Sequence, residues 1–136
     1  MTGEEIVARA CAACEELDCT KFEGHVAVEI LKDALAEERI ETSVRDVFVR
    51  GLHIEWDLLV PRAGAAPAFN GLLYDPAQVK CAVEVKLSGI CGGVQTLDRI
   101  RKNFAAASAL GVPCIHLLLR SSASGSDNRK VRLAGI

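Results

Sequence analysis

The chain lacks a surplus of either charge: 16 Lys and Arg stand against 18 Asp and Glu in 136 residues, a formal net charge of −2. No global positive field therefore draws it to nucleic acid or anionic lipid, and any hold on a phosphate backbone must come from a local patch. Long apolar runs are also missing. None approaches the roughly 20 residues that a membrane-spanning helix needs, and no basic stretch leads into an apolar one near Met1. The expectation is a soluble, cytoplasmic protein without membrane contact. No internal repeat is present, and His25, His53 and His116 show no metal-ligand spacing.

Apolar residues are plentiful. They make up 50% of the sequence, enough for one continuous core without help from disulfides or metal, so residues 1–136 are read as a single domain. The six cysteines read as buried thiols in a reducing compartment. Cys11, Cys14 and Cys19 also suggest a metal or iron–sulfur site. Against that, Cys11 and Cys14 fall on the apolar stripe of a helix, and no group of cysteines follows the later helix to complete a cluster. Cys81, Cys91 and Cys114 read as small hydrophobes too.

Helical spacing of Ile6, Val7, Ala10, Cys11, Cys14 and Leu17 predicts an amphipathic helix over Gly3 to Cys19. A second runs from about Lys21 to Glu38, with Thr20 as its N-cap and Phe22, Val26, Ala27, Ile30, Leu31 and Ala34 along one side. After Arg39 the period changes to two. Val44 to Arg50 and His53 to Val60 read as strands of an antiparallel hairpin turning at Arg50-Gly51. Pro61 to Pro76 reads as an Ala/Gly/Pro loop around a short strand at Leu72 to Tyr74. Lys80 to Leu87 is a strand, Val94 to Leu110 a helix with Gly111 as its C-cap, and Cys114 to Leu119 a buried strand. A tail follows from Ser121, in which Lys130 to Leu133 adds an edge strand. This order gives an α/β fold with a mixed sheet flanked by helices.

Charge interrupts two of the apolar strands. Alternation places Glu84 and Lys86 on one face of their strand, with Val83, Val85 and Leu87 on the other. Burying a carboxylate and an ammonium in a sheet is costly unless they are paired or bind something. Asp57 interrupts Ile54 to Val60 in the same way, so adjacent strands would bring three charges to one point. Two carboxylates that repel are relieved by a hard divalent cation, and a water polarised by that cation beside a lysine can attack a phosphodiester.

An Asp in a hairpin strand, a Glu-x-Lys in the next strand, then a helix and an apolar strand, is an arrangement that resembles the PD-(D/E)xK superfamily of restriction-endonuclease-like nucleases, including its small Holliday-junction-resolvase-like members. The resemblance covers Lys21 to Leu119, with an additional N-terminal helix before it and a tail over residues 120–136. It implies a restriction-endonuclease-like αβββαβ core, Mg²⁺ or Mn²⁺ as cofactor, and hydrolysis of DNA by an endonuclease. By that resemblance Asp57 and Glu84 ligate the metal, the Val85 carbonyl adds a ligand, and Lys86 is the catalytic lysine. Trp56 stands where the name-giving Pro would be. The long separation between Asp57 and Glu84 is absorbed by the Ala/Gly/Pro loop.

The resemblance further implies a Glu on the first core helix. Glu23 and Glu29 compete for it, and Glu23 is preferred because it falls inside the apolar face of that helix. Gln95 stands where some members carry a helping polar residue. Arg99, Arg101, Lys102, Arg129, Lys130 and Arg132 are candidate phosphate contacts, and His53 is a candidate neighbour of Asp57. A homodimer is expected, because so small a chain offers little surface to DNA. One alternative stays open: a catalytically inactive module of the same fold that binds nucleic acid or a protein partner, in keeping with the acidic balance.

Overall fold

The apolar run around Ala82 to Val85 becomes the middle of the molecule. In the computed structural model, which describes residues 2–16, 24–87, 93–119 and 132–135, two helices open the chain: α1, Gly3–Glu16, and α2, Gly24–Glu37. α1 starts on a capping box. The Thr2 hydroxyl accepts the Glu5 N–H, and the Glu5 carboxylate accepts the Thr2 N–H in return. The strands are β1 (Val47–Val49), β2 (Glu55–Trp56), β3 (Leu58–Pro61), β4 (Leu73–Tyr74) and β5 (Val79–Leu87). Helix α3, Gly93–Ala109, leads to β6, Cys114–Leu119, and β7, Arg132–Gly135. A 3₁₀ turn at Pro76–Gln78 runs directly into β5.

The strands form two mixed sheets. In the first, β1 pairs antiparallel with β2 and parallel with β4. The second has the order β3-β5-β6-β7, with β5 and β6 parallel and both outer strands antiparallel to their neighbours. The fold is α/β and restriction-endonuclease-like.

Alternation along β5 divides the core in two. Val83 and Val85, with Leu58 and Leu117, face Ile6, Val7 and Ala10 of α1 and Ala27, Val28, Leu31 and Ala34 of α2. Ala82, with Leu59 and Cys114, faces Ile100, Phe104 and Ala107 of α3, and the same cluster continues through Trp56 to Val47 and Val49. Leu58 and Leu59 are both 0% exposed, so β3 is buried on each face, worth roughly 1.5–3 kcal/mol for each side chain. The buried edge of α2 is turned from the expected one: Val28 is buried, while Val26 and Ile30 line a groove shared with α1.

The strand expected over His53 to Val60 is broken at Asp57, and its halves join different sheets. On the facing segment Asp46 adopts a left-handed conformation (φ 59°), which ends β1 on that side. Contact between the two segments continues beyond it. Asp46 N–H bonds the Asp57 carbonyl at 3.3 Å, and Ser43 N–H bonds the Leu59 carbonyl at 2.9 Å. The buried Ser43 hydroxyl accepts the Leu59 N–H at 2.8 Å and donates to the Val44 carbonyl at 2.7 Å, so the outer edge of β3 is not left bare.

Several expected elements are present with small shifts of bounds. The hairpin turn contains Gly51 at φ 90°, a conformation suited to glycine, and Gly111 at φ 77° terminates α3, where Val112 N–H bonds the Ala107 carbonyl at 3.0 Å. The β6 bounds match, β4 lies within the loop as expected, and β7 starts two residues after Lys130. Thr20 lies outside the described residues. No described helix is long and apolar enough to cross a membrane. Cys11 and Cys114 are buried and Cys81 is half-buried, none of the three in a disulfide. The side chains of Cys14, Cys19 and Cys91 lie outside the described residues.

Trp56 is 0% exposed, and its ring lies 6.1 Å from that of Phe104. Trp56→Ala is expected to lower stability in urea unfolding by about 3–5 kcal/mol. Phe69 is 72% exposed and has a φ of 53°, so Phe69→Asn should leave stability within about 0.5 kcal/mol of the parent.

Candidate active site

The β3–β5 pairing begins with Leu58 opposite Val83. Beyond it, β5 continues to Leu87 while the partner chain bends away, so main-chain groups of β5 on that side lose their ladder partners. Asp57 fills the first gap: its Oδ2 accepts the Val85 N–H at 2.7 Å. Ala82 points its N–H the other way, to the Pro113 carbonyl at 2.8 Å. Main-chain direction alternates along a strand, so the Val85 carbonyl faces the Asp57 side with its N–H.

Glu84 and Lys86 share the face of Ala82, the face covered further down by α3. Asp57, one residue before the buried Leu58 and two before Leu59, falls on that face as well. Glu84 is 9% exposed, and Asp57 and Lys86 are half-buried. Three of the residues singled out in the sequence are thus adjacent, with the main chain of Val85 between them.

The electrostatics record the crowding. Burial, and then the negative charge of Asp57, push the Glu84 carboxyl up to about 7; Lys86, the Asp57 main-chain N–H and Arg99 pull against that shift. Asp57 is also raised, mainly by burial and further by Asp46, against the Val85 N–H, Lys86 and a hydrogen bond to the Glu84 carboxyl. Both carboxyls are thus raised above their ordinary values, as expected where acidic groups are held together in a poorly solvated place.

Two carboxylates and a main-chain carbonyl form a hard, all-oxygen donor set of the kind that suits Mg²⁺ or Mn²⁺, which keep several waters as ligands. Asp57, Glu84 and the Val85 carbonyl, brought together at one end of the β3–β5 pairing, fit such a cation and would hold it. No group of three His, Cys, Asp or Glu side chains converges to hold a metal among the described residues, so waters and the carbonyl would complete the shell.

Other candidates are placed differently. Glu23 lies outside the described residues, and α2, which follows it, packs on the face opposite Asp57 and Glu84. Glu29 is 53% exposed and pairs with Arg45 at 2.9 Å. His53 is exposed in the hairpin turn. Arg99, Arg101 and Lys102 are exposed on α3, Arg101 within 3.9 Å of Asp98. The side chains of Gln95, Arg129, Lys130 and Arg132 lie outside the described residues.

Two neighbours were not expected. Asp46 adds negative charge beside Asp57, and the only advance sign was one more Asp in a strand-like run. His116 pairs in register with Glu84 on β6 and is 7% exposed. Burial and then Lys86 push its imidazole below the ordinary histidine value, with Asp57 pulling the other way. A polar residue inside the otherwise apolar Cys114–Leu119 was the signal, and spacing between histidines could not reveal it.

No protein-family model matches the chain, and no curated protein matches it. Among solved structures, the chain is similar to NucC of P. aeruginosa ATCC27853 in its cAAA-bound form, with a TM-score of 0.54, 13% sequence identity and 80% of this chain covered. The match spans about half, 51%, of the NucC chain. At that identity the likeness is one of fold: this chain has a nuclease-like α/β fold.

Proposed function

We infer that the chain is a metal-dependent nuclease that hydrolyses DNA phosphodiester bonds with a cation-activated water. The observation that carries the reading is the meeting of Asp57 and Glu84 at one end of the β3–β5 pairing, where burial raises both carboxyls above their ordinary values. The fold likeness to NucC supports it. Asp57, Glu84 and the Val85 carbonyl hold Mg²⁺ or Mn²⁺. The bound cation supplies polarisation of a water and neutralisation of charge on the phosphate oxygens.

The protein's own groups do the rest. The main-chain bond from Val85 locks the Asp57 carboxylate in one orientation, so its second oxygen is fixed without further ordering. Lys86, two residues beyond Glu84 on the same face, brings an ammonium to the place where charge develops on the phosphate. It stabilises that charge and orients the attacking water through a hydrogen bond. Arg99, whose charge is felt at Glu84, guides the incoming backbone. Glu23 is a proposed further carboxylate, and a homodimer supplies the surface that one small domain lacks.

Purified protein is tested on plasmid, branched and single-stranded DNA with Mg²⁺ or Mn²⁺. Cleavage is expected, with Lys86→Ala and Asp57→Ala each slowing it by at least about 100-fold while the protein stays folded. No cleavage of any substrate, or cleavage that survives both substitutions, contradicts the reading.

The Glu84 carboxyl also ties stability to pH in the presence of chelator. Its folded value of about 7 lies above the ordinary 4.5, so between these values the folded chain binds more protons than the unfolded one. Stability must then fall as pH rises through that window, by a limit of about 3 kcal/mol. Urea unfolding at pH 5 and pH 7.5 should show the fall in the parent and a much flatter profile in Glu84→Gln.

A further inference from the structure

We propose that His116 is a positioning residue for the candidate metal site: with a divalent cation on Asp57 and Glu84, its Nε2–H holds the Glu84 oxygen that the cation leaves free. The proposal rests on the nuclease reading of that site, and it concerns a residue to which the family resemblance assigns no role.

His116 is the parallel partner of Glu84 in the β5–β6 register, flanked by the pairs Ala82–Cys114 and Lys86–Leu118. Partners in register project from the same face of a sheet, on strands about 4.8 Å apart. Glu Oε and His Nε2 are each three bonds beyond Cβ, so the two atoms stand at similar height above the sheet, one strand apart. The His116 side chain is buried, and its Nε2 has no hydrogen-bond partner in the protein.

An unpartnered polar atom in so buried a place is costly, and a leucine would fill β6 without that cost. The indole nitrogen of Trp56 is also without a partner, but Trp56 brings a large ring to the core and a contact with Phe104. His116 brings little apolar surface to set against its orphaned nitrogen. A carboxylate that gives one oxygen to a cation needs a donor for the other, and such outer donors fix the orientation of the ligand. Glu84 already takes the Asp57 main-chain N–H, and the unpartnered His116 Nε2, buried on the neighbouring strand in register with it, is placed to hold its other oxygen.

The experiment is calorimetric titration of the full chain with Mn²⁺ at pH 8, for the parent, His116→Gln, His116→Asn and His116→Leu, with thermal unfolding in chelator run in parallel. The glutamine amide nitrogen reproduces the reach of Nε2, whereas the asparagine nitrogen is one bond short. His116→Gln is expected to bind Mn²⁺ within about threefold of the parent, and His116→Asn and His116→Leu 10- to 100-fold more weakly, with unfolding temperatures in chelator that do not follow this order. Parent-like affinity in the leucine variant overturns the proposal, as does equal affinity in the glutamine and asparagine variants, a comparison that survives should the leucine variant fail to fold. A parent that binds no Mn²⁺ overturns the nuclease reading and this proposal together, whereas unchanged affinity across the variants overturns this proposal alone.

Discussion

Where β3 gives way, the Val85 N–H would be left without a partner inside the protein, and the Asp57 carboxylate takes it at 2.7 Å. The rest of the site follows from that bond. It brings one carboxylate to the edge of β5 and fixes its orientation. It also holds the chain at the corner where β2 leaves for one sheet and β3 for the other, with Asp46 N–H steadying the Asp57 carbonyl from the outside. A charged residue in a strand interior would ordinarily weaken the fold. Here it terminates a ladder, and the apolar residues on either side, Trp56 and Leu58, supply the burial that keeps the corner in place.

Fixing Asp57 beside Glu84 has an electrostatic consequence. Burial raises both carboxyls, and the negative charge of Asp57 lifts Glu84 further, to about 7, while the hydrogen bond to Glu84 pulls Asp57 the other way. The same β5 that supplies Glu84 supplies Lys86 two residues later and the Val85 carbonyl between them. One strand therefore carries a carboxylate and an ammonium on one face, with the Val85 carbonyl between them on the edge that faces Asp57.

Much of this arrangement was legible in the residues. β6 is apolar enough, and bounded sharply enough by Pro113, for its limits to be read from Cys114 to Leu119. Gly111 marked the end of α3, and the Glu84-Val85-Lys86 face followed from a period of two. The break at Asp57 was not legible, because alternation continues from Ile54 to Val60 and cannot say that a strand changes its partner halfway. It depends on the left-handed turn at Asp46 in the facing segment. Val28 is buried and Val26 only partly so, both in the cluster that α1 and α2 form against one face of the sheet, a packing fact absent from the period of either helix. His116 escaped notice because its neighbour in space is Glu84, 32 residues away in sequence and found only from the β5–β6 register.

Binding of a cation by Asp57 and Glu84 is read from a crystal of the parent protein soaked in Mn²⁺. An anomalous peak is expected within about 2.0–2.3 Å of a carboxylate oxygen of each residue, with the Val85 carbonyl or water completing the shell. A soaked crystal with no peak there, or a peak bound only to surface carboxylates elsewhere, would contradict it.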